Sequence, residues 1–82
     1  MINELFTEDE DTIMFYAFRY CLGRRTYAVE NCVEYLTRNW ARLSLRTKEL
    51  IFKEINEALD ADRAGMDCDR DSWRKILDLP LA

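Results

Sequence analysis

A chain of 82 residues with a net charge of −4 has room for one hydrophobic core and no second. A 49% apolar composition with 12% aromatics excludes disorder along most of its length, and two glycines with one proline argue against a turn-dense β protein. The longest uncharged run, Thr12 to Phe18, is far short of a bilayer span, and Met1 to Glu4 lack the basic start of a secretory signal, so no membrane is expected and the chain reads as cytoplasmic.

Charge is unevenly laid out. Residues 1–11 hold five acids and no base, residues 12–48 hold seven bases against two acids, and residues 49–71 hold eight acids against three bases. Nine of the twelve bases are arginine, whose planar fork suits carboxylates and phosphates better than plain solubility. Cys21, Cys32 and Cys68 fit neither a zinc spacing nor a redox pair, and the chain has no histidine to complete a metal set. They read as reduced core thiols, and no cofactor is implied.

Residues 1–7 form a loose lead-in, of which Leu5 and Phe6 can tuck against the core. Thr7 with Glu10 spells a capping box, and the acids that follow suit the positive end of a helix. A first helix is predicted over 8–22, closed by Gly23. Ile13, Met14, Phe15, Tyr16, Ala17, Phe18, Tyr20, Cys21 and Leu22 clothe it nearly all round. So small a protein can hardly cover such a helix completely, so self-association or a partner helix is expected there.

Thr26 reads as the cap of a second helix to about Asn39 or Trp40. Val29, Cys32, Val33, Leu36, Trp40 and Leu43 recur on it with the helical period, the strongest such signal in the chain. Ser44 caps a third helix to about Ala64, ended by Gly65, with Ile51, Ile55, Ala58 and Leu59 inside. A last short helix follows Asp69 as its cap, carries Trp73, Ile76 and Leu77, and stops at Pro80. The expected fold is all-α, one domain over 1–82: a compact bundle of three long helices plus a short C-terminal helix, its neighbours antiparallel across short loops.

No catalytic set emerges. The chain lacks histidine, no carboxylate stands alone in an apolar run, and Cys21 beside its arginines is better read as a buried thiol, so no enzyme is expected. Asp67, Asp69, Asp71 and Asp78 match calcium-loop positions 1, 3, 5 and 12, but Ser72 stands where the turn requires glycine. Helix-capping acids explain that segment better, and no metal is expected.

The segment Phe18-Arg19-Tyr20-Cys21-Leu22-Gly23-Arg24-Arg25-Thr26-Tyr27 is where charge, aromatics and chain reversal coincide. Arg19, Tyr20, Arg24, Arg25 and Tyr27, extended by Arg38 and Arg42, form the candidate partner-binding set, because arginine and tyrosine dominate binding energy when desolvated. The same bases with Arg46, Lys48 and Trp40 can hold phosphates and stack bases. Overall acidity and the acids of the third helix place nucleic-acid binding second, even where helices two and three read as a helix-turn-helix. Phosphate mimicry by the acids of 49–71 is a third reading.

The segment Phe15-Tyr16-Ala17-Phe18-Arg19-Tyr20-Cys21-Leu22-Gly23-Arg24-Arg25-Thr26-Tyr27-Ala28-Val29 resembles one in short proteins encoded by bacteriophages and prophages. Val33-Glu34-Tyr35-Leu36, Lys53-Glu54-Ile55 and Asp67-Cys68-Asp69-Arg70-Asp71-Ser72-Trp73 are similar too, so the likeness runs over most of the chain. It brings no activity and no functional residues. It implies a setting: a small phage accessory protein inside a bacterial host, binding and modulating a host enzyme such as a CRISPR nuclease or RNA polymerase. A structural role in the virion is a further alternative.

Overall fold

Helix ends in this protein are set by short polar side chains. The computed structural model describes residues 4–24 and 26–81, apart from the side chains of residues 26 and 27. Four α-helices follow one another: α1 (Glu8–Cys21), α2 (Thr26–Asn39), α3 (Leu45–Asp60) and α4 (Asp67–Leu77), with a 3-10 turn at Trp40–Arg42. The described residues contain no strand, so the fold is all-helical, as the composition and periodicity suggest.

The capping box at α1 forms. Thr7 N–H donates to Glu10 Oε1 at 2.9 Å and Glu10 N–H donates to Thr7 Oγ1 at 3.2 Å. The Thr7 backbone N–H first, and the Thr7 side chain second, hold the Glu10 carboxyl below its usual range, against desolvation and aided by the charge of Arg42. Ser44 caps α3 by accepting from Thr47 N–H at 3.2 Å. Gly23 closes α1 at φ +85, and a Cβ there would sit 3.0 Å from the carbonyl oxygen of Arg63. Glycine is required on both counts.

Three boundaries differ from the sequence reading. Thr26 is the first residue of α2 rather than its cap. α3 stops at Asp60, not Ala64, because Asp62 turns left-handed at φ +55. Asp62 N–H then donates to Leu59 O at 3.3 Å and Arg63 N–H to Ala58 O at 2.7 Å, the paired bonds of a Schellman ending. Aspartate tolerates that conformation, so it takes the role that the reading gave to Gly65. Gly65, at φ +89, instead makes room for Asp69, whose Oδ2 lies 2.7 Å from where a Cβ would stand. α4 starts at Asp67, and Asp69 is already inside it, accepting from Met66 N–H at 3.0 Å.

The core is built from one face of each helix. Phe18 meets Trp73 edge to face, with ring centroids 5.4 Å apart, and both are fully buried. Val29, Val33, Leu36, Trp40 and Leu43 of the second-helix stripe are buried, while Cys32 is half-buried. α3 buries Ile51, Ile55 and Ala58, leaving Leu59 half-buried. α2 packs most broadly on α4, and α1 lies across α2 and α3.

Two latches close the ends. Trp40 stacks on Phe52 and donates its indole N–H to Pro80 O at 2.6 Å, pinning the C-terminal tail. Phe6 N–H donates to Arg42 O at 2.9 Å, and Arg42 Nε donates to Glu4 O at 3.0 Å. Residues 4–6 of the lead-in are therefore tied to the 3-10 turn. Among the described residues no helix is long and apolar enough to cross a membrane.

Candidate interaction surface

α1 has two apolar faces, and the rest of the chain covers one. Met14 and Phe18 are buried, with Phe15 and Cys21 packed beside them. On the far side Ile13, Tyr16 and Tyr20 are 65%, 63% and 68% exposed, and Ala17 between them is exposed as well. The spacing i, i+3, i+4, i+7 makes these four one stripe. A helix on the surface of a small protein is normally polar there.

Tyr20 and Arg24 form one unit at the C-terminal end of this stripe. Arg24 Nε donates to Tyr20 O at 3.1 Å, and its guanidinium lies 4.4 Å from the Tyr20 ring centroid. The arrangement pre-orders a cation over an exposed aromatic. Arg19, next in sequence, turns to α3 and sits 3.2 Å from Glu54 Oε1.

The remaining candidate residues are elsewhere. Arg38 lies on the last turn of α2, 3.9 Å from Glu34, a solvated pair worth a few tenths of a kcal/mol. Arg42 lies 4.2 Å over the Phe6 ring and is spent on the N-terminal latch, at the opposite end of α1 from Tyr20. Arg25 and the Tyr27 side chain lie outside the described residues. The structure thus joins Tyr20 and Arg24, commits Arg19 to Glu54, and separates Arg38 and Arg42 from them.

Sequence reasoning missed Ile13 and Tyr16 as surface. Apolar residues on every side of α1 give no phase from which to choose the buried one. It also counted Lys48 with the accessible bases, whereas Lys48 is buried, its Nζ 5.9 Å from the Trp40 ring. Between α1 and α3 a groove runs past Thr12, Phe15, Tyr16, Arg46 and Leu50, extending the apolar stripe sideways.

Of the aspartates weighed as a calcium loop, Asp67, Asp69 and Asp71 lie in α4 and Asp78 is its C-cap. Asp69 is buried as the backward-reaching acid of α4, and Asp71 pairs with Arg74 at 3.0 Å. The described residues contain no group of three or more metal-ligating side chains.

Cys21 and Cys32 are half-buried neighbours on α1 and α2. Burial first, and the neighbouring Cys21 second, push the Cys32 thiol up to about 12. Cys68 is exposed on α4, so it is not the core thiol its residue type suggests. At pH 8 an alkylating reagent should therefore label Cys68 first and Cys32 last, the latter slower by about 100-fold or more through its scarce thiolate. Mass spectrometry of a time course reads the order. Equal rates would show that Cys32 is not held against Cys21.

No protein-family model matches the chain, and no curated protein or solved structure is similar enough to be matched to it.

Proposed function

We propose that this is a small phage-type accessory protein that works by binding another protein in the host cytoplasm. It inhibits or modulates a host enzyme of defence or nucleic-acid handling, of the kind represented by CRISPR nucleases and RNA polymerase. Of the three longer helices α1 carries the contact surface and α3 borders it, while the short C-terminal helix packs into the core behind α1 through Trp73. The observation that carries this reading is the exposed Tyr20–Arg24 unit at the end of an apolar helix face. Tyrosine and arginine at the margin of an apolar patch are the residue types that supply most binding energy once desolvated.

Phosphate binding is less well supported. Lys48 is buried, Arg42 is turned onto Phe6, and Arg19 is engaged by Glu54. The basic middle of the chain therefore offers fewer cations to a nucleic acid than its composition suggests.

A tagged protein drawn through bacterial lysate, with and without nuclease, tests the proposal. The full chain should retain a stoichiometric host protein after nuclease treatment. Arg24→Ala combined with Arg25→Ala should keep the helical circular dichroism spectrum and lose that protein by about ten-fold or more. Unchanged capture by the double variant would sink the assignment of the surface. Nucleic acid alone, released by nuclease and lost steeply between about 50 and 200 mM salt, would replace the proposal with a phosphate-binding regulator.

A further inference from the structure

The uncovered face of α1 carries a charge at each end and none between. In helical steps of about 100° per residue, Asp9 shares the side of Ile13, Tyr16, Ala17 and Tyr20, away from Met14 and Phe18. Asp9 stands exposed at the N-terminal end, and Arg24 closes the C-terminal end over the Tyr20 ring. The other charges of α1 point elsewhere: Glu8 into the groove towards α3, Glu10 to Thr7, Asp11 to Ser44, and Arg19 to Glu54.

We propose that this face pairs with the same face of a second copy of the chain, the two α1 helices lying antiparallel about a two-fold axis between Tyr16 and Ala17. A two-fold contact brings residue i onto j and j onto i, so a self-pairing face must be complementary to its own reversal. This one is, in a single register. Ile13 and Tyr20 are equidistant from the midpoint of Tyr16 and Ala17; Asp9 lies one turn beyond Ile13, and Arg24, past the end of the helix, is held over the Tyr20 ring at the other end. Antiparallel pairing in that register sets each Asp9 against Arg24 of the second copy, Ile13 against Tyr20, and Tyr16 against the small Ala17. A parallel pair would instead oppose Asp9 to Asp9 and Arg24 to Arg24.

An unrelated partner needs no such internal symmetry, and a second copy of the chain does. The helical part of the stripe, Asp9 to Tyr20, is about 17 Å long at 1.5 Å per residue. Leu50 and Arg46 of α3 border Tyr16 and widen the contact. A patch of this size falls at the small end of specific interfaces, so the dimer should be weak, with a Kd on the order of 10–100 µM. It covers the same Tyr20–Arg24 unit that the host-binding proposal uses, so the two contacts exclude each other on one protomer, and sedimentation of the purified chain tests the dimer without any host protein.

Sedimentation velocity of the purified full chain from about 5 µM to about 500 µM tests it. The expected result is a shift from monomer to dimer and no larger species. Asp9→Arg and Arg24→Asp should each weaken the dimer about ten-fold, because each creates two like-charge contacts. An equimolar mixture of these two variants should restore it, since every contact between the unlike chains is then opposite in sign. Ala17→Glu, at the two-fold axis, should abolish it while the circular dichroism spectrum stays helical. A wild-type monomer at every concentration would overturn the proposal and leave the face for a different protein. So would a dimer indifferent to both Asp9→Arg and Ala17→Glu, or a mixture that fails to recover.

Discussion

Trp73→Ala is expected to remove about 3–5 kcal/mol of stability, the cost of deleting a fully buried indole from a core that cannot close over the gap. For a domain whose whole margin is on the order of 5–10 kcal/mol, that leaves the variant barely folded at 37 °C. Trp73 is fully buried and its ring is the surface on which Phe18 of α1 rests. It also belongs to the shortest helix, eleven residues, which has too few turns to persist in water without its neighbours. Losing the indole therefore loosens α4 from α2 as well as α1 from the core. Thermal unfolding followed by circular dichroism should show a fall in Tm of about 15 °C or more. Trp73→Phe keeps a ring against Phe18 and should cost markedly less. A loss under about 1 kcal/mol for Trp73→Ala would mean that the core is not organised around this pair.

Local rules read the apolar stripe of α2 and the N-terminal caps of α1 and α3 correctly because everything they need lies within one or two turns. A stripe from Val29 to Leu43 has a phase, and burial follows it. Thr7 with Glu10, and Ser44 with Thr47, are contacts between residues three apart. The errors begin where two rules compete. Asp62 and Gly65 can each take positive φ, and the sequence favours the glycine although the chain turns at the aspartate. For α1 the difficulty was an excess of signal, since a helix apolar all round does not declare which face the others will cover.

The candidate site divides in the same way. Tyr20 and Arg24 are one helical turn apart, so their pairing is local and could be anticipated from spacing. Arg42 belongs to a contact with Glu4 and Phe6, and Trp40 to one with Pro80, forty residues away. Nothing near Arg42 in sequence says that its guanidinium is already occupied. Arginine-rich composition therefore overstated the basic surface, and only tertiary contacts could correct it.

The most consequential of these long-range contacts is made by Asp11, and its removal is the second large effect expected. Asp11 Oδ1 accepts from Ser44 N–H at 2.9 Å, and Asp11 Oδ2 accepts from Ser44 Oγ at 2.9 Å and from the Thr47 hydroxyl. One carboxylate thus joins the first turn of α1 to the cap of α3. Desolvation alone would raise its pKa, but the bonds from Thr47 and then Ser44 outweigh it and hold the carboxyl below its usual value. Hydrogen bonds to a charged group are worth more than neutral ones, so Asp11→Ala should cost about 2 kcal/mol near neutral pH. A lowered folded-state pKa fixes the sign of the pH dependence. The unfolded chain binds the proton first, so the contribution is fully present above the ordinary carboxyl pKa of about 3.9 and is lost as pH falls through the lowered folded value. The Tm gap between wild type and Asp11→Ala should therefore be widest at neutral pH and narrow steadily below about pH 4. Glu10, shifted in the same direction, is present in both proteins and drops out of that difference. A gap that stays constant down to low pH would show that Asp11 acts by shape rather than charge, and that Ser44 and Thr47 bond equally well to a neutral acid.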